Sequence, residues 1–131
     1  MVSKTRSIKI AERIREELSV LMILHVEDPR LSGVTVTDVE VDRELAYANV
    51  YVSAVEGSHR SAEILAGLEH AQGFLRSELA HRIDLRVFPR LRFRWDNTLE
   101  KADHMERLFA SLHHADASKT EPDNKRVDEG G

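Results

Sequence analysis

From Ser7 to Val26 the large apolar residues Ile10, Ile14, Leu18, Leu21 and Leu24 recur at spacings of four and three. That pattern predicts an amphipathic helix with one wide apolar stripe. Pro29 disfavours helical geometry at Asp28, so the helix is expected to end near there. "GVTVTDVEV" then alternates as Val34 and Val36, followed by Val39 and Val41. The phase slips at Asp38, which predicts a bulge in a strand. After "DRE", the run "LAYANVYVSA" sets Ala48, Val50 and Val52 against Tyr47, Asn49 and Tyr51. Two short strands with a tight connection predict an antiparallel hairpin.

Ser58 in "EGSHR" is the expected cap of the next helical stretch. Ile64, Leu68, Leu75 and Leu79 carry the helical period from His59 to about Asp84, with Gly73 in the middle. "RVFPRLRFRWD" is the last strand: Leu91, Phe93 and Trp95 fall in one phase, Arg90, Arg92 and Arg94 in the other. "DNTLEKADHMERLFASL" predicts a short final helix capped by Asp96 or Asn97. The order read from the pattern is α-β-β-α-α-β and then this short helix. Residues 113–131 hold almost no large aliphatic side chain and are expected to form a polar, disordered tail behind a domain of residues 1–112.

Composition changes this picture in two respects. The chain has no cysteine, so disulfides and thiolate chemistry are excluded. No apolar run is long enough to span a bilayer and no signal-peptide core follows the start, so a cytoplasmic protein without membrane contact is expected. The formal net charge is −4, which by itself argues against a polyanionic partner. The distribution argues otherwise. Lys4, Arg6, Lys9, Arg13 and Arg15 crowd the first helix, and Arg76, Arg82, Arg86, Arg90, Arg92 and Arg94 crowd the segment through the last strand. Between them residues 27–44 are mainly acidic.

Candidate chemistry is sparse. Five histidines are scattered across different elements without paired ligand spacing, His113 and His114 adjoin one another and would diverge on a helix, and no nucleophile motif or phosphate-binding glycine loop occurs. Neither a metal nor a cofactor is expected. Trp95 shares its phase with Leu91 and Phe93, which favours core packing over base stacking. The arginine triplet has two readings from its own residues. Charged side chains blunt exposed sheet edges, and clustered cations also attract a polyanion or an acidic protein. If the basic first helix and Arg76, Arg82 and Arg86 share the triplet's side of the molecule, nucleic acid becomes the stronger reading.

In that order, "DPRL", "VTVTDVEV", "AYANVYVS", "LEHAQGFLRSEL" and "LRVFPRLRFRWDNTLEKADHMERL" resemble the ribosome-binding factor A family, from about residue 6 to residue 112. The resemblance implies an α+β, type II KH-like domain, with a three-stranded sheet covered by helices on one face. It implies a non-catalytic assembly factor, expected to be a monomer when unbound, that binds the free 30S ribosomal subunit and its rRNA. It further implies assistance in late maturation, including 5′-end processing of 16S rRNA. In the family an Ala-x-Gly kink joins two middle helices, and Ala71, Gln72 and Gly73 match it. The Gly-x-x-Gly of RNA-clamping KH domains is absent from the chain. Lys4, Arg6, Lys9, Arg13, Arg76, Arg82, Arg86, Arg90, Arg92 and Arg94 are the expected RNA-binding residues.

Overall fold

The computed structural model describes residues 1–120, with side-chain surroundings through residue 113. Helix α1 spans Lys4–Leu24, strand β1 Val34–Val41, strand β2 Tyr47–Ala54, helix α2 Ser61–Arg82, strand β3 Arg90–Trp95 and helix α3 Thr98–Thr120. Residues Met1–Asn97 form one compact unit, and α3 lies in a second that begins at Thr98.

In the first unit, β2 is the central strand of a three-stranded sheet. It pairs antiparallel with β1 and parallel with β3. A parallel partner needs a crossover, and α2 supplies it. The register with β1 shifts between Val36 and Asp38, the bulge that the slipped hydrophobic phase foretold. Ile10, Ile14, Leu18 and Leu21 of α1 and Ile64, Leu68, Leu75 and Leu79 of α2 join Val36, Val39, Val50, Val52, Leu91 and Phe93 in one buried cluster. Both helices therefore cover the same face of the sheet. Each large aliphatic side chain buried this way contributes roughly 1.5–3 kcal/mol.

Ser3 caps α1, its side chain accepting from Arg6 N. Asp28, beyond the helix, caps a 3₁₀ turn at Pro29–Leu31. Arg60 ties that turn to the start of α2, donating to the carbonyls of Arg30 and Ser32 at 2.9 Å each.

The structure corrects several expectations. The two middle helices are one: α2 runs unbroken through Ala71, Gln72 and Gly73. The order is thus α-β-β-α-β-α. Gly73 has no positive φ, and its apolar anchors on either side keep one helical period, so nothing forces a break. Ser58 begins a 3₁₀ turn, and α2 starts at Ser61 without a side-chain cap. The final helix is not short. It covers 23 residues, and the boundary expected at 112/113 falls inside it. Residues 113–120 contain no proline or glycine, so helical propensity carries on. The remainder of the expected disordered tail lies outside the described residues.

Candidate nucleic-acid interface

Strand alternation builds the site. Because Ala48, Val50 and Val52 of β2 and Leu91 and Phe93 of β3 point into the core, Tyr47, Asn49, Tyr51, Arg90, Arg92 and Arg94 point out from the uncovered face. The register sets Tyr47 opposite Arg90, Asn49 opposite Arg92 and Tyr51 opposite Arg94. On the far side of β2, Glu40 pairs with Asn49 and Asp38 with Tyr51. The open face thus carries three columns: arginines on β3, a Tyr-Asn-Tyr column on β2, and carboxylates on β1.

The three arginines are exposed and make no ion pair among the described residues. Arg92 lies over the Tyr47 ring, its Cζ 3.5 Å from the centroid. Tyr51 donates its hydroxyl to Glu40 Oε1 at 3.2 Å. Burial, and then the Glu40 carboxylate, raise the Tyr51 pKa above its ordinary value, so the phenol stays a donor. At one end of the face, Asp96 accepts from Thr37 of the bulge at 2.6 Å.

The other basic candidates do not gather here. Arg13 pairs with Glu17 and donates to the carbonyl of Arg82, while Arg82 pairs with Glu78 and lies 3.8 Å from Glu17. This network staples α1 to α2 and neutralises both arginines. Arg76 donates to the carbonyls of Phe88 and Pro89 at 2.6 and 3.2 Å, holding the segment that leads into β3. It also lines a shallow depression with Gln72, Gly73 and Arg90, which puts it beside the stripe. Arg86 is exposed on the α2–β3 connection. Lys4, Arg6 and Lys9 are exposed on α1, in the helical layer on the other side of the sheet. Lys4 lines a groove with Glu12, Asp38, Glu40 and Asp42, so acidic β1 separates the start of α1 from the arginine column. The condition that all the basic elements share one side is not met.

Of Ala71, Gln72 and Gly73, all within α2, Gln72 makes a bond to the sheet. Gln72 donates from Nε2 to the carbonyl of Leu91 at 2.6 Å, satisfying an acceptor on the edge strand. A Cβ on Gly73 would meet nothing within 4 Å, whereas one on Gly67 would lie 3.0 Å from Leu31 Cδ2 and 3.3 Å from Arg30 Cβ. The glycine that close packing requires is Gly67. Trp95 is partly buried against the core cluster, as its phase implies. The exposed aromatic beside the arginines is Tyr47, which the strand alternation of "LAYANVYVSA" placed outside. Only cross-strand register shows that it meets Arg92. Among the described residues no three His, Asp or Glu side chains converge to hold a metal ion, and no helix is long and apolar enough to cross a membrane.

Comparison with known proteins agrees with this architecture. The family model described as ribosome-binding factor A matches residues 6–109. The ribosome-binding factor A of Clostridioides difficile is 40% identical over 125 residues, 95% of this chain and 98% of its own. That of Aromatoleum aromaticum is 37% identical over 119 residues, covering 91% and 94%. The crystal structure of ribosome-binding factor A from Thermus thermophilus superposes with a TM-score of 0.59 at 30% identity, covering 67% of this chain and 93% of that one. A Thermus thermophilus ribosome-binding factor A homology model fitted into a cryo-EM map of a 30S complex gives a TM-score of 0.58 at 29% identity, covering 69% and 94%.

Proposed function

The chain belongs to the ribosome-binding factor A family, and from that premise we propose that it binds the free 30S ribosomal subunit through the arginine face of its sheet. It assists late maturation there, including 5′-end processing of 16S rRNA, as a monomer without catalysis or cofactor. The observation that carries the binding mode is the column of Arg90, Arg92 and Arg94, exposed together without a carboxylate partner among the described residues. Like charges held at alternate strand positions repel one another, and phosphates relieve that repulsion. Phosphate contacts fix position and orientation without reading sequence. The acidic column on β1 repels the same polyanion, so the sheet docks with its β3 side toward RNA. Arg76 and Arg86 extend the basic border, whereas Arg13 and Arg82 serve the fold. Lys4, Arg6 and Lys9 face away and contribute less.

The test is charge reversal of Arg90, Arg92 and Arg94 to glutamate, with the variant sedimented alongside 30S subunits. The fold is expected to survive, since exposed substitutions shift stability by about 0.5 kcal/mol or less. Co-sedimentation is expected to fall sharply, and the log–log salt dependence to flatten by roughly 0.7–0.9 for each phosphate no longer neutralised. Cells carrying only this variant are expected to accumulate 16S rRNA with immature 5′ ends. Unchanged affinity and salt slope would leave the arginines as edge protection only. RNase treatment that strips subunit rRNA yet leaves the chain bound would identify a protein partner instead.

A further inference from the structure

The three arginines of the column are not equivalent. Among the described residues Arg90 and Arg94 have no ring contact, while Arg92 lies on Tyr47 with its Cζ 3.5 Å from the ring centroid. At that separation little room is left for a guanidinium nitrogen to point into the ring, so the group lies flat on it. Asn49, paired with Arg92 across the strands, has its Oδ1 buried without a partner among the described residues, so Arg92 makes no hydrogen bond to it. The guanidinium is therefore committed to the aromatic face, with Arg92 as a whole exposed to solvent.

We propose that the Tyr47–Arg92 pair is a stacking site for an unpaired nucleobase, so that this face takes single-stranded rRNA and not only the backbone of a duplex. The inference rests on the RNA-docking reading above and deepens it. A guanidinium is planar and weakly hydrated on its faces, and in RNA recognition bases stack on arginine planes as well as on aromatic rings. With one face against Tyr47, the other is presented outward, completing a ring–guanidinium–base sandwich. Bases within a duplex are already stacked on both sides, so the occupant is an unpaired base. Arg90 and Arg94 stand about 6.6 Å to either side along the strand, in position to hold the flanking phosphates. Every base has a π-face, so the site tolerates any sequence. It adds selectivity for unpaired RNA that phosphate contacts alone would not give.

The experiment compares the full-length chain's affinity for a short single-stranded oligoribonucleotide and for an abasic oligonucleotide of equal length. The phosphates are the same, and only the bases differ. The expected result is about tenfold tighter binding of the base-bearing strand, a typical effect for one stacked base. Arg92→Lys keeps the charge but loses the plane, and Tyr47→Leu removes the ring beneath it. Each is expected to abolish the preference for the base-bearing strand, and Arg90→Lys is expected to retain it. A 2-aminopurine in the strand should lose emission on binding the parent and not Arg92→Lys. Equal binding of the two strands, or a preference that survives Arg92→Lys, would overturn the stacking site. If neither strand binds while the triple glutamate variant is still lost from the 30S fraction, stacking is refuted and RNA docking stands. If that variant still co-sediments, the docking reading falls and the stacking site with it.

Discussion

Two glycines on one helix show how little a residue's identity says without its neighbours. Gly67 sits where α2 meets the Pro29–Leu31 turn, with Leu31 Cδ2 3.0 Å from where a Cβ would stand. Gly67→Val is expected to destabilise by about 1–3 kcal/mol through overpacking. Gly73 faces open space, so Gly73→Ala is expected to stabilise by roughly 0.5–1 kcal/mol through helix propensity alone. Denaturant midpoints of the two variants measure both. A Gly73→Ala variant less stable than the parent would mean that α2 needs a flexible point there after all. Asp28 offers a second test at this scale. Its side-chain hydrogen bonds with Arg30, and then the Arg30 backbone N–H, lower its pKa to about 2. A carboxylate depressed in the folded state stabilises above its unfolded pKa of about 3.9 and loses that contribution as pH falls through the folded value. Asp28→Asn is therefore expected to melt below the parent at neutral pH, with the gap closing between about pH 4 and about pH 2. A gap that persists at pH 2 would assign the difference to something other than the ionised carboxylate.

At the scale of elements, β3 joins the fold to the site. One phase anchors it through Leu91, which is 1% exposed, and Phe93, and the other phase carries the arginines. As an edge strand it leaves acceptors unpaired on its outer side, and α2 takes one of them together with two in the segment that leads into it. Gln72 takes the Leu91 carbonyl, and Arg76 takes those of Phe88 and Pro89. Gln72→Ala is expected to cost about 1 kcal/mol, the usual net worth of such a bond, without weakening 30S binding. Leu91→Arg is expected to do the reverse of the arginine reversals, abolishing the cooperative transition because it buries a charge. Chemical denaturation and co-sedimentation separate the two: a Leu91→Arg protein that folds normally would show that β3 does not depend on its inward phase. The helix that follows obeys a different rule. Pattern alone ended α3 where its apolar anchors stop, yet its backbone continues to Thr120, since propensity needs no burial to extend a helix.

For the whole molecule, every buried apolar residue among those described lies between Ile10 and Phe93, within the unit Met1–Asn97. A chain ending at Asn97 is expected to keep a single cooperative thermal transition with a midpoint within several degrees of the parent. Loss of cooperativity in calorimetry would show that residues from Thr98 onward are part of the folding unit. The net charge of −4 conceals the arrangement that matters. Sheet order places the acid-rich β1 at one edge and the arginine-rich β3 at the other, with tyrosines between.

Periodicity along the chain was enough to determine the strands, their inward and outward phases, the bulge at Asp38 and the first core helix, whereas the middle stretch read as two helices is one in the structure. Each of these follows from apolar side chains seeking one side of a local element, and the alternation is written in the order of residues. The resemblance of several ordered segments carried the fold class and the family with it. What sequence order does not contain is which outward residues become neighbours. Arg13 and Arg82 are far apart in the chain and share one ion-pair network, while Arg92 meets Tyr47 only because β3 lies parallel to β2 in one register. The same holds for Gly67, whose need for smallness depends on Leu31 arriving from another element. Long-range contact decides between a cation that serves the fold and one that is free for a ligand, because a carboxylate within reach neutralises it and its absence leaves the charge available.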